Sequence, residues 1–168
     1  GHYLTCVVLL TAALVLVAAS GGCSVPPARG LIHVSTAGSP DGDGSDQRPV
    51  ATVQQGIDLA RPGDVVKVAP GQYAGNIRLR SHVSVIGAGT DLTTVSAQQG
   101  AVITADATDV VFEGFTVDGM NLAENGIACD WLHLAGPSER PPVIVRRNVI
   151  KDVTGHGVYA QYARIVLD

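Results

Sequence analysis

The chain is short of the residues that mark several common protein classes. Aromatics make up 4% of its 168 positions, with one Trp and two Phe, so a core built on large rings is excluded. Charged residues reach only 15%, the formal net charge is −4, and Lys and Arg nowhere cluster. A basic stripe is the electrostatic footprint of nucleic-acid binding, so a nucleic-acid partner is excluded too. Of three cysteines, Cys6 and Cys23 lie near the start and only Cys129 in the body. One cysteine builds neither a disulfide framework nor a CxxC metal site. In "NGIACDWL" it reads as a small buried hydrophobe.

What is present is valine and glycine in short alternating runs. Pro62-Gly63 and Pro70-Gly71 fence the run "DVVKV", which turns, extends for about four residues and turns again. Further runs follow: "NIRLR", "HVSVIG", "TTVSA", "AVITA", "DVVFEGFTVDG", "NGIACDWLHL", "PVIVRRNVIKDV", "GHGVYA" and "ARIVL". Each alternates in the strand sense and stops at Gly, Asn, Asp or Pro. One helix precedes them. Thr52 and Gln55 make a T-x-x-Q capping box, and Val53, Ile57 and Ala60 fall on one narrow face, as in a lid with one apolar side.

Internal alignment carries the architecture. A shift of 33 residues lays "VVFEGFTVDG" on "VIVRRNVIKD", placing Val110, Phe112, Phe115 and Val117 on Val143, Val145, Asn148 and Ile150. Nearly the same shift brings Ile127 near Val158, and Leu132 and Leu134 onto Ile165 and Leu167. Several short strands per period of this length mark a solenoid, an all-β chain of stacked coils joined by parallel pairing.

The segment "ATVQQGIDLARPGDVVKVAPGQYAGNIRLRSHVSVIGAG", with "GSPDGDGSDQRP" before it, resembles the N-terminal cap and first coil of right-handed parallel β-helix proteins of the pectate-lyase-like superfamily. The resemblance implies a single-stranded parallel β-helix over residues 32–168, its first coil covered by the helix. It also implies a ladder of buried turn asparagines, which here starts at Asn148. The chain stops inside the run "ARIVL", so further coils are expected beyond it.

Residues 1–22 read as an export segment rather than as fold. "CVVLLTAALVLVAAS" has signal-peptide length, shorter than the ~20 residues a spanning helix needs. The following "AASGGCS" resembles the lipidation signal of bacterial lipoproteins, with Cys23 acylated and residues 23–31 as a linker. Plain secretory cleavage after Ser20 and a retained anchor are the alternatives. The expected location is a lipid-anchored cell surface or the exterior.

Family resemblance implies acidic polysaccharide as the partner, recognised and in the superfamily's enzymes cleaved or epimerised. Proton abstraction beside a uronate carboxylate needs a base and a neutralising cation. The 33-residue register stacks Glu113 on Arg146 and Asp118 on Lys151, all facing outward. Lys151 or Arg146 is thus a candidate base or carboxylate clamp, with Asp118, Glu113 and the outward Tyr159 as substrate contacts. The competing reading is two cross-coil ion pairs on a module without catalysis. Trp131 and Tyr162 are further candidate platforms for sugar rings, with burial among the apolar neighbours of "WLHL" the equal reading for Trp131. Asp41, Asp43 and Asp46 in "SPDGDGSD" offer hard oxygen ligands for Ca2+, against a solvated turn-rich loop. "TGHGVY" resembles the Gly-His-Gly element of polygalacturonases, but their Asn-x-Asp and Asp-Asp partners are missing. His156 then reads as an exposed residue in a turn whose glycines take positive φ.

Overall fold

The computed structural model describes residues 30–130, 141–161 and 165–168. Cys6, Cys23, Trp131, Leu132, Leu134 and Tyr162 lie outside the described residues, as do residues 1–22, where an export segment is expected. The first elements are β1 (Leu31–Ser39), α1 (Val53–Leu59), β2 (Val65–Val68), β3 (Gly71–Ala74), β4 (Ile77–Arg78) and β5 (Ser84–Ile86). Next come β6 (Thr93–Ser96), β7 (Ala101–Thr104), β8 (Val110–Glu113), β9 (Thr116–Asp118) and β10 (Asn125–Asp130). The last are β11 (Val143–Arg146), β12 (Val149–Lys151), β13 (His156–Gln161) and β14 (Ile165–Leu167).

All strand pairings between these elements are parallel, and they form three sheets. The first runs β1-β2-β5-β8-β11-β14, the second β3-β6-β9-β12, the third β4-β7-β10-β13. From β2 onward the chain therefore visits the sheets in rotation. This order is compatible with a parallel β-helix, because every third strand lies beside its predecessor.

Parallel register stacks like on like. On the first sheet Val66, Val85, Phe112 and Val145 follow one another, and on the second Tyr73, Val95, Val117 and Ile150. Ile77, Ile103, Ile127 and Val158 form the third column. The members from Val66 to Val145 and from Ile77 to Ile127 are buried, while Ile150 and Val158 pack against that core. Alternation makes this automatic, since every second residue of a strand faces the same side. Where two aromatics were available they meet. The rings of Phe112 and Phe115 stack at 4.6 Å, 8° from parallel.

The 33-residue alignment holds from β8 to β12, with Val110 on Val143, Phe112 on Val145 and Val117 on Ile150. Ile127 pairs with Val158. Ile165 and Leu167 pair with Val143 and Val145, since the first sheet orders β14 next to β11, while Leu132 and Leu134 lie outside the described residues. One expectation is corrected. Gly71 opens β3, a strand, with φ 152°, instead of closing the previous one. Strand β1 runs from Leu31 to Ser39, and both Val34 and Ser39 bridge to Val50.

Helix α1 forms as its local signals require. Thr52 accepts from the Gln55 backbone N–H, and the Gln55 side chain returns the bond to Thr52. Val53, Gly56 and Ile57 are buried, and a Cβ on Gly56 would approach Val34 and Val66 side chains within 3 Å. The helix thus lies on β1 and β2 as closely as a helix can.

Candidate functional site

Glu113 ends β8 and Arg146 ends β11, in register. The Arg146 Nε donates to Glu113 Oε2, closing an ion pair whose carboxylate is mostly shielded. On the second sheet Asp118 faces Lys151 in register, 3.0 Å from its ammonium. Lys151 also lies 3.1 Å from Asp152, a carboxylate the alignment had not enlisted. The sequence therefore brought together the residues it stacked, and they satisfy one another.

Electrostatics follows that geometry. The Met120 backbone N–H, bonded to Asp118 Oδ1 at 2.8 Å, is the main cause holding the Asp118 carboxyl below its ordinary range, with Lys151 helping. Hydrogen bonds from Lys151 to Asp118 and then Asp152 hold its ammonium above its ordinary value. A base must release its proton near working pH, and this environment pushes Lys151 the other way.

Tyr159 stands on the third sheet opposite Ala128. Its hydroxyl donates to Gln161 at 2.9 Å, and its ring leans on His156, centroids 5.7 Å apart. It has no bond to the charged strip. His156 opens strand β13 rather than sitting in a turn. Neither Gly155 nor Gly157 has positive φ. Gly155 is required by close approach instead, since a Cβ there would come within 2.6 Å of the Glu124 carbonyl.

The three loop aspartates do not converge. Asp43 accepts from the Ser45 N–H and pairs with Arg48 at 3.3 Å, while Asp46 pairs with His33 at 3.5 Å. Asp41 uses its backbone N–H on Ser39 Oγ. Among the described residues no group of three or more His, Cys, Asp or Glu could hold a metal ion. Arg48 and His33 stand against Asp43 and Asp46 in this loop, which supports the solvated turn-rich reading over the calcium reading of Asp41, Asp43 and Asp46. Cys129 is fully buried, with its thiol bonded to the Ala105 carbonyl at 3.0 Å.

The sequence reading missed a groove of about 470 Å3 where the second sheet turns into the third. Its floor is Ala74, Gly75 and Ala97, and its rim carries Gln72, Gln98 and Gln99. The depression exists because small residues fall in neighbouring coils between longer ones. Pairing Gln72 with Thr94 and Ala74 with Ser96 would have shown it, but this pair of strands repeats at a shorter interval than the 33-residue one. Among the described residues no helix is long and apolar enough to cross a membrane. No family model, no curated protein and no solved structure matches the chain.

Proposed function

We propose that the chain is a right-handed parallel β-helix of the pectate-lyase-like type, exported and lipid-anchored through Cys23, that serves as a surface-interaction module without catalysis. The rotation of the strands through three parallel sheets and the helix lying on β1 and β2 support the fold. The apolar leader before Cys23 supports the location.

One observation carries the functional part: the cations that would clamp or deprotonate a uronate are held by the protein's own carboxylates. Arg146 is bound to Glu113, and Lys151 lies between Asp118 and Asp152. A substrate carboxylate would have to displace a covalently tethered competitor at each. With two carboxylates around one ammonium, the Lys151 site is net negative and repels a polyanion.

Full-length protein incubated with polygalacturonate and with alginate tests this directly. The expected result is no unsaturated product and no new reducing ends, with Lys151→Ala indistinguishable from the parent. Product formation that Lys151→Ala abolishes would overturn the reading in favour of an acidic-polysaccharide enzyme. For the location, Cys23→Ser should move the protein out of the detergent phase. Equal partitioning of both forms would contradict the lipid anchor.

A further inference from the structure

We infer that the groove between the second and third sheets is a binding site for a neutral, hydroxyl-rich glycan. The inference rests on the module reading and names its partner. None of the lining side chains carries a charge, which selects against polyuronate, phosphate and basic peptide alike. What the lining offers is amide chemistry. Each glutamine amide presents two N–H donors and a carbonyl acceptor in one plane, the pattern that matches neighbouring sugar hydroxyls.

Availability separates these amides from the others in the molecule. The Asn76 side chain donates both hydrogens, to the Gln99 and Ala101 carbonyls at 2.9 Å each, and so fixes the rim backbone. The Tyr73 hydroxyl lies under the groove, bonded to the Ala69 carbonyl. Gln72, Gln98 and Gln99 are exposed, and among the described residues no hydrogen bond engages their side chains. The rim backbone is fixed while the three amides stay free to turn toward a ligand, so binding orders each of those side chains at the usual cost and gains the hydrogen bonds they can then make.

An apolar contact completes the site. Met120 lies at its edge, 45% exposed, with φ 53°. A non-glycine residue seldom adopts that conformation, and it is held here by the bond from the Met120 N–H to Asp118. The thioether is thereby presented to solvent beside the amides, where the C–H face of a sugar ring can rest. Asp118 thus acts on the site through the backbone of Met120 as a positioning residue.

Affinity electrophoresis of the full chain through gels containing mixed-linkage β-glucan, xyloglucan, galactomannan or polygalacturonate tests the inference. At least one neutral glycan should retard the protein, equally at 0.1 M and at ~1 M NaCl, because no ion pair is involved. Gln98→Ala/Gln99→Ala should weaken that binding ~10-fold or more, the scale of one to two lost hydrogen bonds. Ala74→Trp, at an exposed position on the floor, should block it, with both variants melting near the parent temperature. No retardation by any neutral glycan, retardation by polygalacturonate alone, or variants that bind like the parent would each overturn the inference. Product analysis of the same samples separates the two proposals. Glycan that is degraded while binding depends on Gln98 and Gln99 keeps the groove and removes the module reading. Absent binding with no degradation removes only the groove.

Discussion

Two corners of the molecule handle the same chemical group in opposite ways. Where the first sheet turns into the second, the Asn148 amide is drawn back onto the preceding coil. It donates to the Phe112 carbonyl at 2.9 Å and accepts from the Phe115 N–H at 3.0 Å. Gly114 and Arg147, at equivalent places in that turn, both have positive φ, 80° and 52°. The turn is tight and its backbone groups need a partner, which the amide supplies. Where the second sheet turns into the third, the chain leaves room, and Gln72, Gln98 and Gln99 keep their amides in solvent. The first amide is part of the turn's structure; the others face water and are the groups we infer to meet a ligand. The difference lies in the small residues Ala74, Gly75 and Ala97, not in the amides themselves.

The sharpest way to break this comparison is to attack the core that both corners share. Phe112→Ala should cost about 3–5 kcal/mol, because the ring is fully buried and stacked on Phe115. Ile57→Asp places a charge between α1 and the first strands and should cost several kcal/mol. Denaturant titration measures both, and a parent-like midpoint for either would contradict the packing described.

At the next scale the corners should separate. Asn148→Ala leaves the Phe112 carbonyl and the Phe115 N–H without their partner, an expected loss of about 1–3 kcal/mol. Gln98→Ala and Gln99→Ala should each stay within about 0.5 kcal/mol of the parent. Equal losses at the two corners would erase the distinction.

The smallest effects belong to the charged strip. A double-mutant cycle on Asp118 and Lys151 should return a weak coupling that salt removes. The carboxyl of Asp118 is held below its ordinary value of 3.8 by the Met120 N–H and then Lys151. Its contribution is fully present above that pH and is lost as pH falls through the lowered value. Asp118→Asn should flatten the acid limb of the stability curve slightly. A coupling that survives high salt, or an unchanged acid limb, would contradict the assignment.

How much of this was legible in the sequence depended on how local each signal was. The capping box at Thr52 and Gln55 acts within one turn of helix and was read correctly. The stacking of Glu113 on Arg146 and of Asp118 on Lys151 was legible because the chain from β8 to β12 keeps one interval. That interval is not kept elsewhere: Ser84 and Val111 are 27 residues apart, Glu113 and Arg146 are 33. Loop length sets the interval, so one shift cannot align every coil. The loop aspartates left two readings open, calcium ligands or a solvated turn-rich loop, because spacing alone does not show that Arg48 and His33 reach Asp43 and Asp46. The groove was illegible for the opposite reason: it is made by what its floor residues lack.

Side-chain amide exchange followed by NMR on the free protein tests the central contrast most directly. The Asn148 and Asn76 amide hydrogens should exchange slowly, since each group donates to backbone carbonyls across coils. Those of Gln72, Gln98 and Gln99 should exchange at the rate of an unfolded peptide. Slow exchange at Gln98 and Gln99 in the free protein, or exchange at Asn148 as fast as theirs, would contradict the account.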